Sequence, residues 1–232
     1  WWITGSWEPD PERFPHGLKP VSDNALKHDT SLLVWFEPER VRPGTRLDTE
    51  HPEWLLRISD DDNALLDLGN PACREWLTEH VCRLIADNGI RIYRQDHNFP
   101  PLEFWRRNEP EDRQGMRENL HVQGYLRYWD DLLARNPGLW IDSCASGGRR
   151  NDLETMRRSV PLHYSDWGYG FHPDKLSFHR TLFEWIPYFK DCTLSWDLTG
   201  PQRFSDRVDS YSFHCAFAAM LNPAMDIRRD DY

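Results

Sequence analysis

Residues 70–98 read NPACREWLTEHVCRLIADNGIRIYRQDHN, and this stretch decides the fold. Asn70 suits a helix cap, and Pro71 fits the first turn, where a missing N–H costs nothing. Leu77, Val81, Leu84 and Ile85 recur at helical spacing. Asn88-Gly89 ends the helix, glycine being free to adopt the left-handed cap. The apolar strand Ile90-Arg91-Ile92-Tyr93 follows at once and delivers Arg94-Gln95-Asp96 at its C-terminal end.

The same pattern continues on both sides. Upstream, Leu32-Leu33-Val34-Trp35-Phe36 fits a strand buried on both faces, a polar, proline-bearing stretch covers 37–49, and Ala64-Leu65-Leu66-Asp67-Leu68 reads as the next strand. Downstream, a helix carrying Leu126, Trp129, Leu132 and Leu133 stops at Asn136-Pro137-Gly138 and feeds the strand Leu139-Trp140-Ile141. A short helix after Asp152 leads to a strand at 160–164. A helix over 174–186 leads to a strand at 192–196, and a last helix over 206–221 to a strand at 223–227. Strand–helix repeats of this kind imply an α/β fold with a parallel sheet, closed as a barrel or open and doubly wound. In both architectures the chemistry gathers at the C-terminal edge of the strands, and there the polar residues of this chain cluster.

The 232 residues fit one barrel domain, and 39 % apolar content allows a sizeable core. A formal charge of −10 argues against nucleic acid or an anionic membrane as partner. Twelve Trp residues serve a large core and a sugar-binding surface equally well. The five Cys form no C-x-x-C pair and read as buried thiols. No run approaches the length of a membrane span, and no signal peptide is recognisable.

Three clusters carry candidate chemistry. Arg94-Gln95-Asp96-His97-Asn98 is too polar for a strand interior and must face a pocket or water. Its Asp is a nucleophile, a general base, a metal ligand or a plain helix cap. In the segment 142–152, Gly147-Gly148 permits a sharp turn and close approach to a ligand. This segment is neither a phosphate loop nor a nucleophile elbow, since no Gly-Lys-Ser/Thr follows and Cys144 stands where that elbow needs Gly. Trp35-Phe36-Glu37-Pro38-Glu39 sets two acids after an apolar strand, for ligand binding or for pairing with Arg40 or Arg42. His97, His121, His163, His172 and His179 lack zinc spacings, and Asp60-Asp61-Asp62-Asn63 lacks the Gly and distal Glu of a calcium loop. No metal and no cofactor is expected. Two carboxylates at different strand ends also satisfy the needs of glycoside hydrolysis.

These residues resemble glycoside hydrolase family 36, the α-galactosidases of the melibiase type. Trp7-Glu8-Pro9-Asp10 followed by Arg13-Phe14-Pro15-His16-Gly17-Leu18-Lys19 is similar to its W…FP-x-G-L segment. Residues 35–39 match W-F-E-P-E, and His51-Pro52-Glu53-Trp54 matches H-P-x-W. The run from Cys144 to Asp152 looks like C-S-x-G-G-x-R-x-D. The resemblance implies an incomplete (β/α)8 TIM-type barrel. Residues 1–232 would form a single catalytic domain, starting after the first barrel strand and lacking the flanking β-domains. It implies a retaining α-galactosidase, with Asp96 as nucleophile in the K-W-D-x-N position and Asp152 as general acid/base. Trp35, Arg94, Asn98, Cys144 and Gly147 fall on sugar-binding positions, and Asp166, at a later strand end, is a further substrate-binding candidate.

The expected partner is an oligosaccharide or glycoconjugate with a terminal α-linked galactose-type sugar, and the full-length protein is a candidate homo-oligomer. Localisation is open, with the cytoplasm favoured. One departure affects the sugar: Arg94-Gln95 replaces the family's Lys-Trp. A planar guanidinium is not interchangeable with an ammonium, so α-N-acetylgalactosaminide and galactosaminide compete as substrates. A carbohydrate-binding barrel without catalysis is the alternative from another class.

Overall fold

The computed structural model describes residues 3–160, 162–166, 172–186, 188–193, 196–197, 203–204 and 210–223. The chain divides into two compact units, Trp1–Ile141 and Asp142–Tyr232. The fold is α/β.

In chain order the first unit holds α1 (Lys19–Leu26), β1 (Leu33–Phe36), β2 (Arg40–Val41), α2 (Arg46–Glu50), β3 (Leu55–Leu56) and β4 (Ala64–Leu66). It continues with α3 (Pro71–Asn88), β5 (Ile92–Gln95), α4 (Leu102–Arg107), α5 (Met116–Arg135) and the start of β6 (Trp140–Ser143). The second unit adds α6 (Leu153–Met156), β7 (Leu162–His163), α7 (His172–Leu182) and β8 (Phe189–Cys192). It ends with β9 (Trp196–Asp197), β10 (Arg203–Phe204), α8 (Ser210–Cys215) and β11 (Met220–Asn222).

α3 forms as its sequence dictates. The Asn70 side-chain oxygen accepts from the N–H groups of Ala72 at 3.0 Å and Cys73 at 3.4 Å. Gly89 closes the helix at φ 64°. The chain then turns into β5, which pairs parallel with β1, Trp35 lying opposite Arg94 and Phe36 opposite Gln95. The Trp140 N–H bonds the Arg91 carbonyl, extending this sheet. Leu77, Val81, Leu84 and Ile85 from α3 meet Tyr125, Tyr128, Trp129 and Leu132 from α5 in one core. Each fully buried aliphatic side chain there contributes about 1.5–3 kcal/mol.

The second unit is likewise parallel. Ser143 of β6 pairs with Leu162 of β7, β7 with β8, and β8 with β11. β9 and β10 form a separate antiparallel pair.

The sequence expectations need several corrections: the strand expected at 192–196 is β8, Phe189–Cys192, and the last helix ends at Cys215, so that Met220–Asn222 forms β11 where helix was expected. The run Ala64–Leu66 is not a strand of the parallel sheet. It is the centre of a small antiparallel sheet between β2 and β3. Its three residues are buried, and burial on both faces imitates a parallel strand. The polar stretch after β1 carries β2 and leads into α2. β5 begins two residues later than expected and includes Arg94 and Gln95. α1 and α4 went unforeseen. Pro161, Trp167, Leu194, Ser195 and Ala224-Met225-Asp226-Ile227 lie outside the described residues, as does 206–209 of the expected last helix.

At Gly124 α5 packs closely against the backbone of Leu68. An ideal Cβ there would lie 2.0 Å from the Leu68 carbonyl oxygen and 2.6 Å from its carbon. Alanine normally favours a helix over glycine by about 1 kcal/mol. At this position backbone would have to move, at a typical cost of about 1–3 kcal/mol or more. Gly124→Ala is therefore expected to lower unfolding stability, read as a fall in the denaturation midpoint. An unchanged or raised midpoint would show that the helix lifts away freely.

Candidate active site

The parallel pairing of β1 and β5 sets the first half of the site. Side chains alternate along a strand. Tyr93 and Gln95 point toward α5: the Tyr93 hydroxyl lies 3.0 Å from that of Tyr128, and Trp129 Nε1 donates to Gln95 Oε1 at 2.7 Å. Arg94 and Asp96 therefore take the opposite face, beside Trp35. The Asp96 N–H continues the ladder to the Phe36 carbonyl at 2.9 Å. Asp96 is 7 % exposed. Trp35 Nε1 donates to Oδ2 at 3.1 Å, and the His97 N–H donates to Oδ1 at 2.8 Å. A donor on each oxygen fixes the plane of the carboxylate.

Both glutamates that follow β1 are fully buried. Glu37 Oε1 accepts from the Asn98 N–H at 2.8 Å, and Oε2 pairs with Arg40. Burial pushes the Glu37 carboxyl above the usual carboxylate range, while the Asn98 N–H and the Arg40 guanidinium pull it back. Glu39 Oε1 accepts from Gln95 Nε2 at 3.1 Å, and Oε2 lies 2.7 Å from His121 Nε2. The Tyr93 hydroxyl donates to Gln95 Oε1 at 2.9 Å. Burial raises the Tyr93 phenol well above its ordinary value, so it stays a donor.

The second unit carries the other candidates. Asp142 of β6 and Lys190 of β8 form a buried ion pair. Cys144 is buried. Gly147 sits at φ +87°, and a Cβ on it would lie 2.7 Å from the Asp166 nitrogen. A Cβ on Gly148 would lie 2.2 Å from the Tyr164 carbonyl oxygen. This glycine pair therefore serves backbone stacking against residues 164–166. Asp166 is half exposed, its Oδ1 2.8 Å from His163 Nε2. Asp152 caps α6: Oδ1 accepts from the Glu154 N–H at 2.9 Å and the Thr155 N–H at 3.0 Å. Its Oδ2 accepts from Thr155 Oγ1 at 3.0 Å.

Trp35, Arg94, Asp96 and Asn98 thus gather in the first unit, while Cys144, Gly147, Asp152 and Asp166 belong to the second. Sequence reading missed Gln95, Glu39 and His121 as one network, and the Asp142–Lys190 pair. Among the described residues no three His, Cys, Asp or Glu side chains are grouped to hold a metal ion. A buried carboxylate with an anchored plane suits nucleophilic attack on an electrophilic carbon.

Residues 3–169 match the Melibiase family model. The chain is 32 % identical over 176 residues to α-galactosidase C of Emericella nidulans, covering 70 % of this chain and 22 % of that protein. It is 29 % identical over 168 residues to α-galactosidase 2 of Pediococcus pentosaceus, covering 70 % of this chain and 23 % of that one. Among solved structures, the α-galactosidase from Lactobacillus brevis superposes with a TM-score of 0.83 at 22 % identity, over 98 % of this chain and 31 % of that one. A Geobacillus stearothermophilus α-galactosidase variant in complex with raffinose gives 0.80 at 20 % identity, over 98 % and 32 %. The chain spans less than a quarter of the length of the two curated relatives.

Proposed function

The chain belongs to the melibiase family, and on that premise we propose that the full-length protein is a retaining α-galactosidase acting on oligosaccharides with a terminal α-galactose. Raffinose-type sugars are the model substrates. Residues 1–232 belong to one catalytic (β/α)8 barrel, incomplete in this chain. Among the described residues β1 pairs on one side only, with β5. Beside it lies a cavity of about 450 Å³ lined by Trp7, Phe14, Val34, Phe36, Leu84 and Ile90 together with Glu8, Asp10 and Arg13. The apolar part of that lining supports a further barrel strand preceding β1.

The observation that carries the reading is the buried Asp96 carboxylate, oriented by Trp35 and His97 at the end of a parallel strand. Asp96 attacks the anomeric carbon as the bond to the leaving oxygen breaks, and Asp152 gives its proton to that oxygen. Water then attacks the same carbon, Asp152 takes its proton, and the bond to Asp96 breaks. Asp152 Oδ2, with one hydrogen bond from Thr155, keeps capacity for the proton in transit. Trp35, Arg94, Asn98, Cys144, Gly147 and Asp166 line the sugar. Full-length protein treated with a fluorinated galactosyl inactivator should gain one sugar mass on the peptide containing Asp96. An adduct on another carboxylate would reassign the nucleophile, and lack of any adduct in an inactivated enzyme would overturn double displacement.

Arg94 keeps a second substrate in play. Gln95 faces α5, so of the two departures from the family motif Arg94 alone shares the face of Asp96. Its guanidinium fork suits a pair of hydroxyls or an acetamido oxygen. Aryl α-galactoside is expected to exceed the α-N-acetylgalactosaminide in kcat/KM by about tenfold or more. A reversed ratio would make the acetamido sugar the substrate.

A further inference from the structure

Glu39 takes no part in the two displacement steps, yet it is among the most deeply buried charged groups of its unit, at 0 % exposure. Burying a carboxylate is costly, and an apolar side chain of similar size commonly serves a core as well or better. What it touches suggests its use. Its Oε1 accepts from Gln95 Nε2 at 3.1 Å and lies 3.7 Å from His97 Nδ1. Its Oε2 lies 2.7 Å from His121 Nε2 on α5. Gln95 is held from its other end, where Oε1 accepts from Trp129 Nε1 and the Tyr93 hydroxyl. The Gln95 amide is thereby fixed between α5 and Glu39.

Alternate residues of the segment 35–39 each hold one part of 95–98. Trp35 holds Asp96, Glu37 holds Asn98, and Glu39 holds Gln95 and faces His97. We infer that Glu39 is a positioning residue: through Gln95 and His97 it fixes the strand end that carries Asp96, without touching substrate. The catalytic part of this inference rests on the α-galactosidase reading, whereas the structural part does not.

Two readouts on the full-length protein separate them. The first is hydrogen exchange at the amides of Asp96, His97 and Asn98. Glu39→Ala should speed exchange there by about tenfold or more while leaving α3 protected. The second is the split of kcat from KM on an aryl α-galactoside. Glu39→Ala should lower kcat by about 10–100-fold and change KM little, because a small misplacement of the nucleophile acts on the reacting geometry. Glu39→Gln should recover most of both losses, since its oxygen still accepts from Gln95 and its NH2 can donate to His121. Gln95→Met removes the same tether from the other end and should reproduce the loss if Glu39→Ala fails to accumulate. Unchanged exchange in Glu39→Ala or Gln95→Met overturns the positioning role, whatever the protein hydrolyses. Faster exchange with wild-type kcat overturns its catalytic part, as does a Glu39→Gln variant no better than Glu39→Ala. A wild-type protein inert on α-galactosides overturns the functional reading instead, and exchange alone then decides on Glu39.

Discussion

Asp96→Gly in the full-length protein is expected to lower turnover of an aryl α-galactoside by about 10⁴-fold or more, the scale on which losing a covalent nucleophile acts. The donors that fix this carboxylate, Trp35 Nε1 and the His97 N–H, remain in the variant. The loss should therefore fall on kcat and leave binding nearly intact. Glycine also vacates space beside the anomeric carbon. Added azide should enter from that side and restore part of the turnover, releasing a β-galactosyl azide. A single displacement from the nucleophile's face inverts an α-linkage, so the β product identifies the face that Asp96 occupies. Wild-type-like turnover in the variant would sink the assignment. An α-azide product would put the nucleophile elsewhere.

Asp152 should give the second large effect, and its place at a helix end makes the effect divisible. Its carboxylate caps α6 through Glu154, Thr155 and the Thr155 hydroxyl. Losing such a cap to alanine costs about 0.5–2 kcal/mol, whereas asparagine caps nearly as well as aspartate. Asp152→Ala should therefore lower both stability and turnover, and Asp152→Asn should lower turnover at nearly wild-type stability. Losing a general acid/base costs about 10²–10⁴-fold. The first step should suffer most for a poor alcohol leaving group and least for an activated phenol, which departs without a proton. Equal losses on both substrates would remove Asp152 from the acid role and leave it a cap.

Much of this fold is legible in the sequence because its signals are local. Asn70, Pro71 and Gly89 lie within one helix and act on their own neighbours, so α3 reads off to its ends. The strand Ala64–Leu66 misleads because its partners, Arg40–Val41 and Leu55–Leu56, come from loops whose pairing no local pattern encodes. The start of β5 is misplaced for a related reason. Arg94 and Gln95 look too polar for a strand, and Gln95 is admitted because Glu39, Tyr93 and Trp129 satisfy its amide. Those partners are up to 56 residues away in sequence. Trp composition leaves core and sugar surface open, and local pattern does not say which Trp does what. Trp129 is buried at 1 % exposure, and Trp35 binds the Asp96 carboxylate. The candidate site was legible as chemistry, in Asp96 and its neighbours, and illegible as support, in Glu39 and His121.

The β1–β5 register has a consequence for how this protein can change. A one-residue slip reverses the face of every following side chain in a strand. Trp35 reaches Asp96 from within that register, and Glu37 and Glu39, just beyond it, reach Asn98 and Gln95. Side chains here can be exchanged, as Gln95 in the place of the family's tryptophan illustrates. Length is less free: a residue inserted or deleted within 33–36 or 92–95 would shift the register that brings Trp35 to Asp96. Libraries that vary this protein should confine insertions to the loops outside those two segments.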